Sequence, residues 1–473
     1  MPKAPSPSSK RKAPDKAISP PPVKRKAAQS SMTQGAVASF FTPTSQKPRD
    51  RTQWTERVID GAVPTLLVGK YQPEGAAEEE GEKRRKIAAF DLDSTLIVTA
   101  SGKKFGNDPA DWKWWDASVP TRLRRLYAEE GFRVVIVSNQ AGLTLHPDPN
   151  AKGPKGGGAG KAKVANFKQK CGAVLAQLNL PTTIYAATAR DGYRKPRPGM
   201  WAEICADYGI PRDEVDLANS VFVGDAGGRI ASHADGAAKA VQKDFSCSDR
   251  NFAHNVGVPY VTPEEFFLDE PPHEFAREFD LAAYPYSENA TREGKGEGEA
   301  QEDQDLVFEK KNAKDIVLFC GPPGAGKSTF FWRFLKPLSY ERVNQDTLKS
   351  RAKCFKAATE FLDDGSSVVI DNTNPDADGR KEWVELARKH KVPIRCVWFK
   401  VPRAVCEHND AVRAMNTSLN PEARSGLPTL AFNGFFARLR EPTAKEGFQD
   451  IILVKFQFRG TKEEYAVWGQ YWS

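Results

Sequence analysis

Residues 87–95 read Ile-Ala-Ala-Phe-Asp-Leu-Asp-Ser-Thr, and residues 316–329 read Ile-Val-Leu-Phe-Cys-Gly-Pro-Pro-Gly-Ala-Gly-Lys-Ser-Thr. In both stretches a short apolar run precedes polar or glycine-rich residues, which is the pattern of a buried strand followed by a loop. Parallel strands present such loops at the carboxyl edge of their sheet, where α/β proteins bind ligands. The two stretches therefore predict two such sheet edges, each with its own site.

The chain has 473 residues, which is more than one hydrophobic core normally supports, since single cores rarely grow beyond about 250–300 residues. The predicted fold class is α/β, with two doubly wound parallel-sheet domains. The predicted boundaries are a disordered basic tail over residues 1–50, a first domain over 51–286, a linker over 287–305 and a second domain over 306–473. Within the first domain, the Gly- and Lys-rich stretch 152–163 is predicted to be a flexible surface loop.

Composition limits the class of protein. The formal charge of +8 is modestly basic, which suits an enzyme that acts on a polyanion without proving such a role. The seven cysteines form no C-x-x-C pair, so neither a disulfide framework nor a zinc knuckle is indicated and a reducing compartment is expected. No run approaches the roughly 20 apolar residues of a membrane span, so we expect a soluble intracellular protein without membrane contact.

The tail carries two short patterns. Basic clusters at residues 10–12 and 24–26 are typical of a bipartite nuclear-import signal, although a solvated basic tail is the simpler alternative. The spacing of Gln34, Val37, Phe40 and Phe41 resembles peptides that dock on DNA sliding clamps. One helical turn would gather the three apolar side chains into a plug, but an accidental apolar patch or a segment that folds back on a domain would look the same.

The first motif indicates phosphate removal. In an Asp-x-Asp-x-Thr sequence after a strand, the first carboxylate can attack phosphorus, and the second can protonate the leaving alkoxide and later activate water. Together with three further motifs in order along the chain, it resembles the haloacid dehalogenase superfamily. That resemblance implies a HAD-like phosphatase domain with the following roles: Asp91 as nucleophile, Asp93 as acid and base, Ser138 as phosphate-binding hydroxyl, Lys195 as the neutralising cation and Asp225 as a Mg²⁺ ligand.

The magnesium site predicted for this domain comprises Asp91, Asp93 and Asp225, because carboxylate and carbonyl oxygens together with phosphate suit a hard octahedral cation. Asp249 is expected near the same cleft, but it could equally cap the helix that follows it. Taken singly, Ser138 could be a strand-end cap and Lys195 a surface ion pair.

The second motif indicates nucleotide binding. Residues 321–328 fit G-x-x-x-x-G-K-[ST], in which backbone N–H groups cradle phosphates, the lysine meets the β and γ oxygens and the hydroxyl holds Mg²⁺. The residues predicted to bind ATP are Gly321, Gly324, Gly326, Lys327, Ser328 and Thr329, with Ser328 also a metal ligand. We therefore expect a P-loop kinase domain that uses ATP and Mg²⁺.

Three further positions are candidates for the kinase reaction. Asp346 could accept a proton from an attacking hydroxyl, or it could be a helix N-cap. Asp371 or Asn372, after the apolar run 368–370, could position substrate or water near the metal. Arg413 is a candidate lid arginine, and the alternative is a solvated helix face.

All of these motifs together resemble the polynucleotide kinase 3'-phosphatase family, from about residue 85 to the C-terminus. The matching segments include residues 244–253, 262–267, 344–346 and 370–376. The resemblance implies a DNA-repair enzyme that acts on DNA ends at nicks, gaps and breaks. With the basic clusters of the tail we expect a nuclear enzyme, and we expect a monomer because nothing in the sequence demands an oligomer. It would remove 3'-phosphate through a phosphorylated Asp91 and phosphorylate 5'-hydroxyl ends with ATP, with Asp346 as base. Animal members carry a forkhead-associated domain that is not evident here.

Two alternatives stay open at this point. One is an RNA end-healing kinase and phosphatase, although the paired His-x-[Ser/Thr] motifs of ligase-associated enzymes are missing from the sequence. The other is a catalytically weak repair scaffold whose tail recruits the clamp. The intact Asp91, Asp93, Lys327 and Ser328 favour an active enzyme.

Overall fold

The computed structural model describes residues 51–59, 61, 63–75, 84–104, 106, 108–146, 158–231, 242–287, 308–420, 422 and 424–473. The predicted tail, with its import signal and clamp-like peptide, lies outside these residues, and so does the predicted linker apart from its first residue. In the described part of the chain, no helix is both long enough and apolar enough to span a lipid bilayer.

The first domain is built on a seven-stranded sheet. Its elements in chain order are β1 (Thr52–Arg57), β2 (Leu66–Tyr71), β3 (Ile87–Phe90), β4 (Ile97–Val98), β5 (Lys113–Trp114), α1 (Val119–Ala128), β6 (Arg133–Asn139), α2 (Gly158–Leu178), β7 (Thr182–Ala187), α3 (Gly199–Asp207), β8 (Val221–Val223), α4 (Ser248–Val256), β9 (Tyr260–Val261) and α5 (Pro263–Leu268). The strand order is β1-β2-β7-β6-β3-β8-β9. The strands from β7 to β9 run parallel, and β1 and β2 add an antiparallel edge.

The sheet is covered on both faces. Ala88 and Phe90 of β3 belong to one buried apolar cluster, whereas Ile87 and Ala89 belong to another. Because successive side chains of a strand point to opposite faces, the two clusters lie on the two sides of the sheet. Asp91 therefore leaves the sheet between two packed layers.

The second domain has a five-stranded sheet in which all strands run parallel. Its elements are β10 (Ile316–Cys320), α6 (Lys327–Phe330), β11 (Tyr340–Val343), α7 (Gln345–Leu348), α8 (Arg351–Asp363), β12 (Ser367–Ile370), α9 (Ala377–Lys389), β13 (Ile394–Phe399), α10 (Arg403–Met415), α11 (Thr429–Arg438), β14 (Ile451–Val454) and α12 (Lys462–Trp468). The order β11-β12-β10-β13-β14 places β10 at the centre. The predicted α/β class with two wound sheets is confirmed.

The loop predicted over residues 152–163 is wrong for residues 158–163, and residues 152–157 lie outside the described part of the chain. The stretch 152–163 was expected to be a loop, but α2 already begins at Gly158. An apolar stripe at helical spacing packs this helix on the first core, and its buried members are Phe167, Cys171, Val174, Leu175 and Leu178. This stripe outweighs the unfavourable Gly content at the start of the helix, since packing of one apolar face supplies most helical stability in proteins.

A further cluster of buried apolar side chains joins the two domains. Leu281 lies in the predicted first domain, yet it packs with Val412, Trp468 and Tyr471 of the second. The Tyr465 hydroxyl also donates to the Tyr284 carbonyl at 2.8 Å. The segment before the predicted linker therefore already lies against the second domain. The seven cysteines are free, and all except Cys247 are buried.

His408 is buried in this region, with 1% of its surface exposed. Its ring lies 4.4 Å from that of Phe279 and 5.0 Å from that of Trp468. Nε2 is 2.9 Å from the Trp468 carbonyl oxygen, so the neutral ring donates from Nε2. Nδ1 is buried without a hydrogen-bond partner in the described part of the chain. Burial lowers the pKa of His408 from 6.5 to about 4, because a second proton would place a charge among aromatic rings.

We expect acid to destabilise the folded protein through His408. Its folded pKa lies below its unfolded value of 6.5, so the unfolded state takes up a proton first and stability falls as pH drops from 6.5 towards 4. Between pH 6.5 and about pH 5 the loss is about 2 kcal/mol. Urea denaturation at the two pH values should show a larger decrease in the free energy of unfolding for the unmodified protein than for His408→Gln. The control is His146→Gln, at an exposed position, and its decrease should match that of the unmodified protein. Equal decreases in the unmodified protein and His408→Gln would contradict this account.

Candidate active sites

Three carboxylates meet at the carboxyl edge of the first sheet. Asp91 follows β3, Asp225 follows β8 and Asp249 lies in the first turn of α4, and one oxygen of each lies within 4.8 Å of the others. The Lys195 side chain, of which 1% is exposed, donates from Nζ to Asp91 Oδ1 at 2.6 Å and pairs with Asp249 Oδ1 at 2.9 Å. One cation is thus shared between two buried anions, and the third carboxylate adds further negative charge.

Neighbouring strands hold this arrangement in place. The Asp91 N–H donates to the Val223 carbonyl of β8 at 2.9 Å. Asn139, at the end of β6, accepts from the Lys195 N–H at 2.9 Å and donates to the Lys195 carbonyl at 3.0 Å. Lys195 Nζ also donates to the Val137 carbonyl at 2.7 Å. Both the main chain and the side chain of the lysine are therefore fixed before any substrate binds.

The electrostatics favour an additional cation. Burial raises the pKa of Asp91 to about 7, with Lys195 opposing the rise and Asp249 adding to it. Burial, with the charges of Asp91 and Asp249, raises the pKa of Asp225 to about 8. Burial by itself would lower the pKa of Lys195, but Asp249 and Asp91 raise it above its ordinary value. The oxygen donors of three close carboxylates fit a hard divalent cation, whose charge would offset theirs.

Asp93 lines the same cleft as Asp91. Its carboxylate is not in the three-carboxylate group and is 52% exposed. Gln140 Nε2 donates to it at 2.7 Å, and Lys170 Nζ lies 3.2 Å away. Asp249, which was expected near this cleft, supplies the third carboxylate of the group. Asp249 does not cap α4 with its side chain, and instead accepts from the Ala226 N–H at 3.1 Å.

Ser138 lines the same cleft as Asp91. It is buried at the end of β6, and its Oγ accepts from Gln140 Nε2 at 3.0 Å. Ser138, Lys195 and the carboxylates line a cleft of about 940 Å³ that also contains Arg194. Nη1 of Arg194 is buried without a hydrogen-bond partner among the residues that the structure describes. The cleft therefore offers a hydroxyl and a guanidinium to an anionic substrate.

Glycines shape the loop after β10. Gly324 and Gly326 have φ values of +75° and +85°, and a Cβ on Gly324 would lie 2.2 Å from the Cys406 carbonyl oxygen. A Cβ on Gly321 would lie 2.6 Å from the Phe399 side chain. Only residues without a side chain fit these positions. Close packing thus requires glycine at positions 321 and 324, and the left-handed backbone favours it at 326.

Lys327 curls back onto this loop. Its Nζ donates to the Gly321 carbonyl at 3.0 Å and to the Pro322 carbonyl at 2.6 Å. Burial lowers its pKa, and the neighbouring Asp371 opposes the change. Together with Thr329 it lines a cleft of about 1300 Å³. The lysine is therefore held at the floor of a cavity large enough for a nucleotide.

Ser328 and Asp371 form the oxygen pair suited to a metal in the second cleft. Ser328 Oγ donates to Asp371 Oδ2 at 3.0 Å. Arg342 contacts both, with Nε 2.8 Å from Asp371 Oδ2 and Nη2 2.8 Å from Ser328 Oγ. The hydroxyl and carboxylate fit Mg²⁺, but Arg342 would have to release them. Arg342 was not singled out from the sequence, although it begins the same segment as Asp346.

The predicted base lies at the mouth of this cleft. Asp346 is on α7 with 74% of its side chain exposed, and Arg424 Nη1 is 3.2 Å from its Oδ2. It is not the helix cap, because the Asn344 side chain caps α7 by accepting from the Asp346 N–H at 2.8 Å. Arg413 also lines the cleft, but its Nη2 donates to Asp410 Oδ1 at 2.6 Å. Arg424, which was missed from the sequence, is thus the arginine that contacts the predicted base.

Comparisons with known proteins identify the family of the chain. The family model described as polynucleotide kinase 3 phosphatase matches residues 86–267, and an AAA domain model matches residues 316–442. The bifunctional polynucleotide phosphatase/kinase of Schizosaccharomyces pombe is 35% identical over 391 residues, which cover 83% of this chain and 84% of that protein. The chain belongs to the bifunctional polynucleotide phosphatase/kinase family. This confirms the resemblance seen in the sequence motifs.

Other family comparisons extend over similar lengths. A protein of Acanthamoeba polyphaga mimivirus, provisionally given the same name, is 30% identical over 389 residues, covering 79% of this chain and 85% of that protein. The solved structure of Chaetomium thermophilum Kti12 with ADP-AlF3 is 14% identical, with a TM-score of 0.25, covering 32% of this chain and 92% of that chain. At that score the structural match adds nothing to the family assignment. As a family member, the chain combines a phosphatase domain with a kinase domain.

Proposed function

We propose that this protein heals DNA ends by hydrolysing 3'-phosphate and phosphorylating 5'-hydroxyl groups. The observation that carries the proposal is the presence in one chain of Lys195 between Asp91 and Asp249 and of the glycine loop around Lys327. The first arrangement suits transfer of a phosphate to a carboxylate, and the second suits transfer from a nucleotide. Together, the two reactions leave the 3'-hydroxyl and 5'-phosphate that ligation requires.

In the phosphatase reaction, a carboxylate oxygen of Asp91 attacks phosphorus and the bond from phosphorus to the 3'-oxygen breaks. Asp93 gives its proton to the leaving 3'-oxygen, and its half-exposed position allows it to exchange protons with solvent. It then takes a proton from the water that attacks the phosphoaspartate, releasing inorganic phosphate and restoring Asp91. Ser138 and Lys195 hold the phosphoryl oxygens during both steps.

In the kinase reaction, Asp346 takes the proton of the 5'-hydroxyl as its oxygen attacks the γ phosphorus of ATP. The bond to the bridging oxygen of ADP breaks, and Lys327 stabilises the charge on the transferred group. Arg424, already paired with Asp346, is suited to the same charge when substrate enters. Arg413, fixed by Asp410, is better placed to shape the cleft wall.

The metal that we propose is Mg²⁺ in both sites. The first would be held by Asp91, Asp225 and Asp249, and the second by Ser328 with Asp371. Bound there, the ion supplies charge neutralisation and Lewis acidity. We also propose that the protein is a monomer, that it is nuclear, and that it acts in DNA single-strand break repair. The basic clusters of the tail support the nuclear location. The peptide with Gln34, Val37, Phe40 and Phe41 supports binding to a sliding clamp.

The test uses a nicked DNA duplex with 3'-phosphate and 5'-hydroxyl at the nick, the purified full chain, ATP and Mg²⁺. We expect both ends to be converted, so that DNA ligase seals the nick only after the treatment. Chelation with EDTA should abolish both conversions, and added Mg²⁺ should restore them. A duplex already bearing 3'-hydroxyl and 5'-phosphate serves as the ligation control.

Two results would contradict the proposal. If neither end changes while the control is sealed, the chain does not heal DNA ends. If a matched RNA nick is converted much faster than the DNA nick, the RNA alternative is correct.

A further inference from the structure

The last described residues contact both active-site regions. We call residues 468–472 the C-terminal strap. Trp468 is 4% exposed and Tyr471 3% exposed, so both side chains are buried. The strap contacts the phosphatase side through the main chain and ring of Tyr471, and the kinase side through the indole of Trp468.

On the phosphatase side, the strap binds Asn255 of α4. The Tyr471 N–H donates to Asn255 Oδ1 at 2.8 Å, and Asn255 Nδ2 donates to the Tyr471 carbonyl at 2.7 Å. The same Nδ2 donates to the Pro196 carbonyl at 2.9 Å. Pro196 directly follows Lys195, and α4 also carries Asp249. One amide therefore links the strap to the loop of the active-site lysine.

The Tyr471 ring strengthens this attachment. It lies 5.0 Å from the His254 ring and 4.9 Å from the Arg277 guanidinium. Arg277 Nε in turn donates to Asn251 Oδ1 on α4 at 2.9 Å. The strap thus contacts the helix that carries Asp249 through both its main chain and its ring, which limits movement of that helix relative to the strap.

On the kinase side, the strap reaches the nucleotide loop through two hydrogen bonds. Trp468 Nε1 donates to Asn409 Oδ1 at 2.7 Å, and Asn409 Nδ2 donates to the Gly324 carbonyl at 2.8 Å. Gly324 already lies against the backbone of Cys406. Asn409 and Cys406 are both on α10, so the strap fixes the side-chain contact between this helix and the loop.

We propose that the C-terminal strap positions both active sites, Asn255 acting on the Lys195 loop and Trp468 acting through Asn409 on the glycine loop. The inference rests on the proposed function for its two activities. Asn255, Asn409 and Trp468 are positioning residues, since they hold the groups that touch substrate. We expect selective effects. Loss of the Asn255 contacts should affect phosphate hydrolysis alone, and loss of the Trp468 contact should affect phosphorylation alone.

The first test replaces Asn255 by Ala in the full chain. We expect kcat for hydrolysis of a small aryl phosphate to fall about 10-fold with KM unchanged, because small displacements of a positioned group reduce the rate of the chemical step. Phosphorylation of a 5'-hydroxyl oligonucleotide should be unchanged, which also shows that the variant is folded. Asn255→Asp keeps the acceptor for Tyr471 but loses both donated bonds, so it should resemble Asn255→Ala.

The second test is Trp468→Phe, which keeps a ring in the cluster but removes the donor to Asn409. We expect KM for ATP to rise about 5-fold, the equivalent of one hydrogen bond, with aryl phosphate hydrolysis unchanged. Gln470→Ala is the matched control, because its side chain takes no part in the strap's hydrogen bonds described above. It should leave both activities unchanged.

Amide hydrogen exchange separates this inference from the proposed function. In Asn255→Ala, amides of residues 193–200 should exchange about 10-fold faster, since local opening becomes easier when a hydrogen bond to this loop is removed. The inference would be overturned if both amide exchange and kcat were unchanged in Asn255→Ala. It would also be overturned by a parallel loss of both activities with a lowered Tm, because that result indicates only a structural role. If the unmodified protein lacks both activities, the proposed function fails, and the exchange rates still decide whether the strap positions the loop.

Discussion

Replacing Asp91 by Asn is expected to lower 3'-phosphate hydrolysis by at least about 10⁴-fold, as loss of a nucleophile does in other covalent mechanisms. Asn keeps the size of the side chain but is a far weaker nucleophile. Lys195 would still pair with Asp249 at 2.9 Å, so the lysine keeps one partner. Release of inorganic phosphate from a 3'-phosphorylated oligonucleotide measures the effect, and ATP-dependent phosphorylation should continue.

Asp213→Asn is the matched control, since Asp213 is exposed and lies outside the cleft. Acid quenching with a labelled substrate should trap phosphoprotein for the unmodified chain and none for Asp91→Asn. If Asp91→Asn retained more than about a tenth of the activity, another group would have to be the nucleophile, because loss of the attacking group costs orders of magnitude.

Lys327→Met is expected to reduce 5'-phosphorylation about 10³-fold, the scale found when one preorganised charge-stabilising group is removed. Met preserves the length of the buried stem but cannot stabilise the charge that develops on the transferred phosphoryl group. The Gly321 and Pro322 carbonyls would lose their shared donor, so some loosening of the loop is expected as well. Transfer of labelled phosphate from ATP to a 5'-hydroxyl oligonucleotide measures the loss.

Lys381→Met provides the control, because this lysine lies on α9 with 70% of its side chain exposed. Aryl phosphate hydrolysis should be unaffected by Lys327→Met. A simultaneous loss of hydrolysis would mean that the two sites do not work independently. Retained phosphorylation would place the charge-stabilising role on another cation, for which Arg424 is the nearest candidate to the predicted base.

The features that could be predicted from the sequence are those encoded locally. An apolar run followed by Asp91, and another followed by the glycine loop and Lys327, identify strand ends without any knowledge of distant contacts. The central positions of β3 and β10 agree with this, since both strands are paired on either side. The apolar stripe of α2 was also visible, but the Gly-rich start of that helix was given too much weight.

The features that the sequence left open, such as the role of Asp249, or did not indicate depend on contacts between distant parts of the chain. Asp249 joins Asp91 only because α4 packs next to β8 and β9. Arg342 was visible in its segment, but its contact with Asp371 needs the pairing of β11 with β12. Arg424 follows no spacing rule, because it belongs to the irregular chain between α10 and α11. Such positions need the fold, since nothing in their immediate neighbours specifies the partner.

The buried free cysteines can report local opening of the two hydrophobic cores. Cys171 and Cys205 are in the phosphatase core, and Cys354 and Cys396 are in the kinase core. A thiol reagent can reach them only when the surrounding core opens, because the reactive thiolate needs access to solvent. Peptide mass analysis after timed alkylation would therefore give separate opening rates for the two halves in a single unmodified sample.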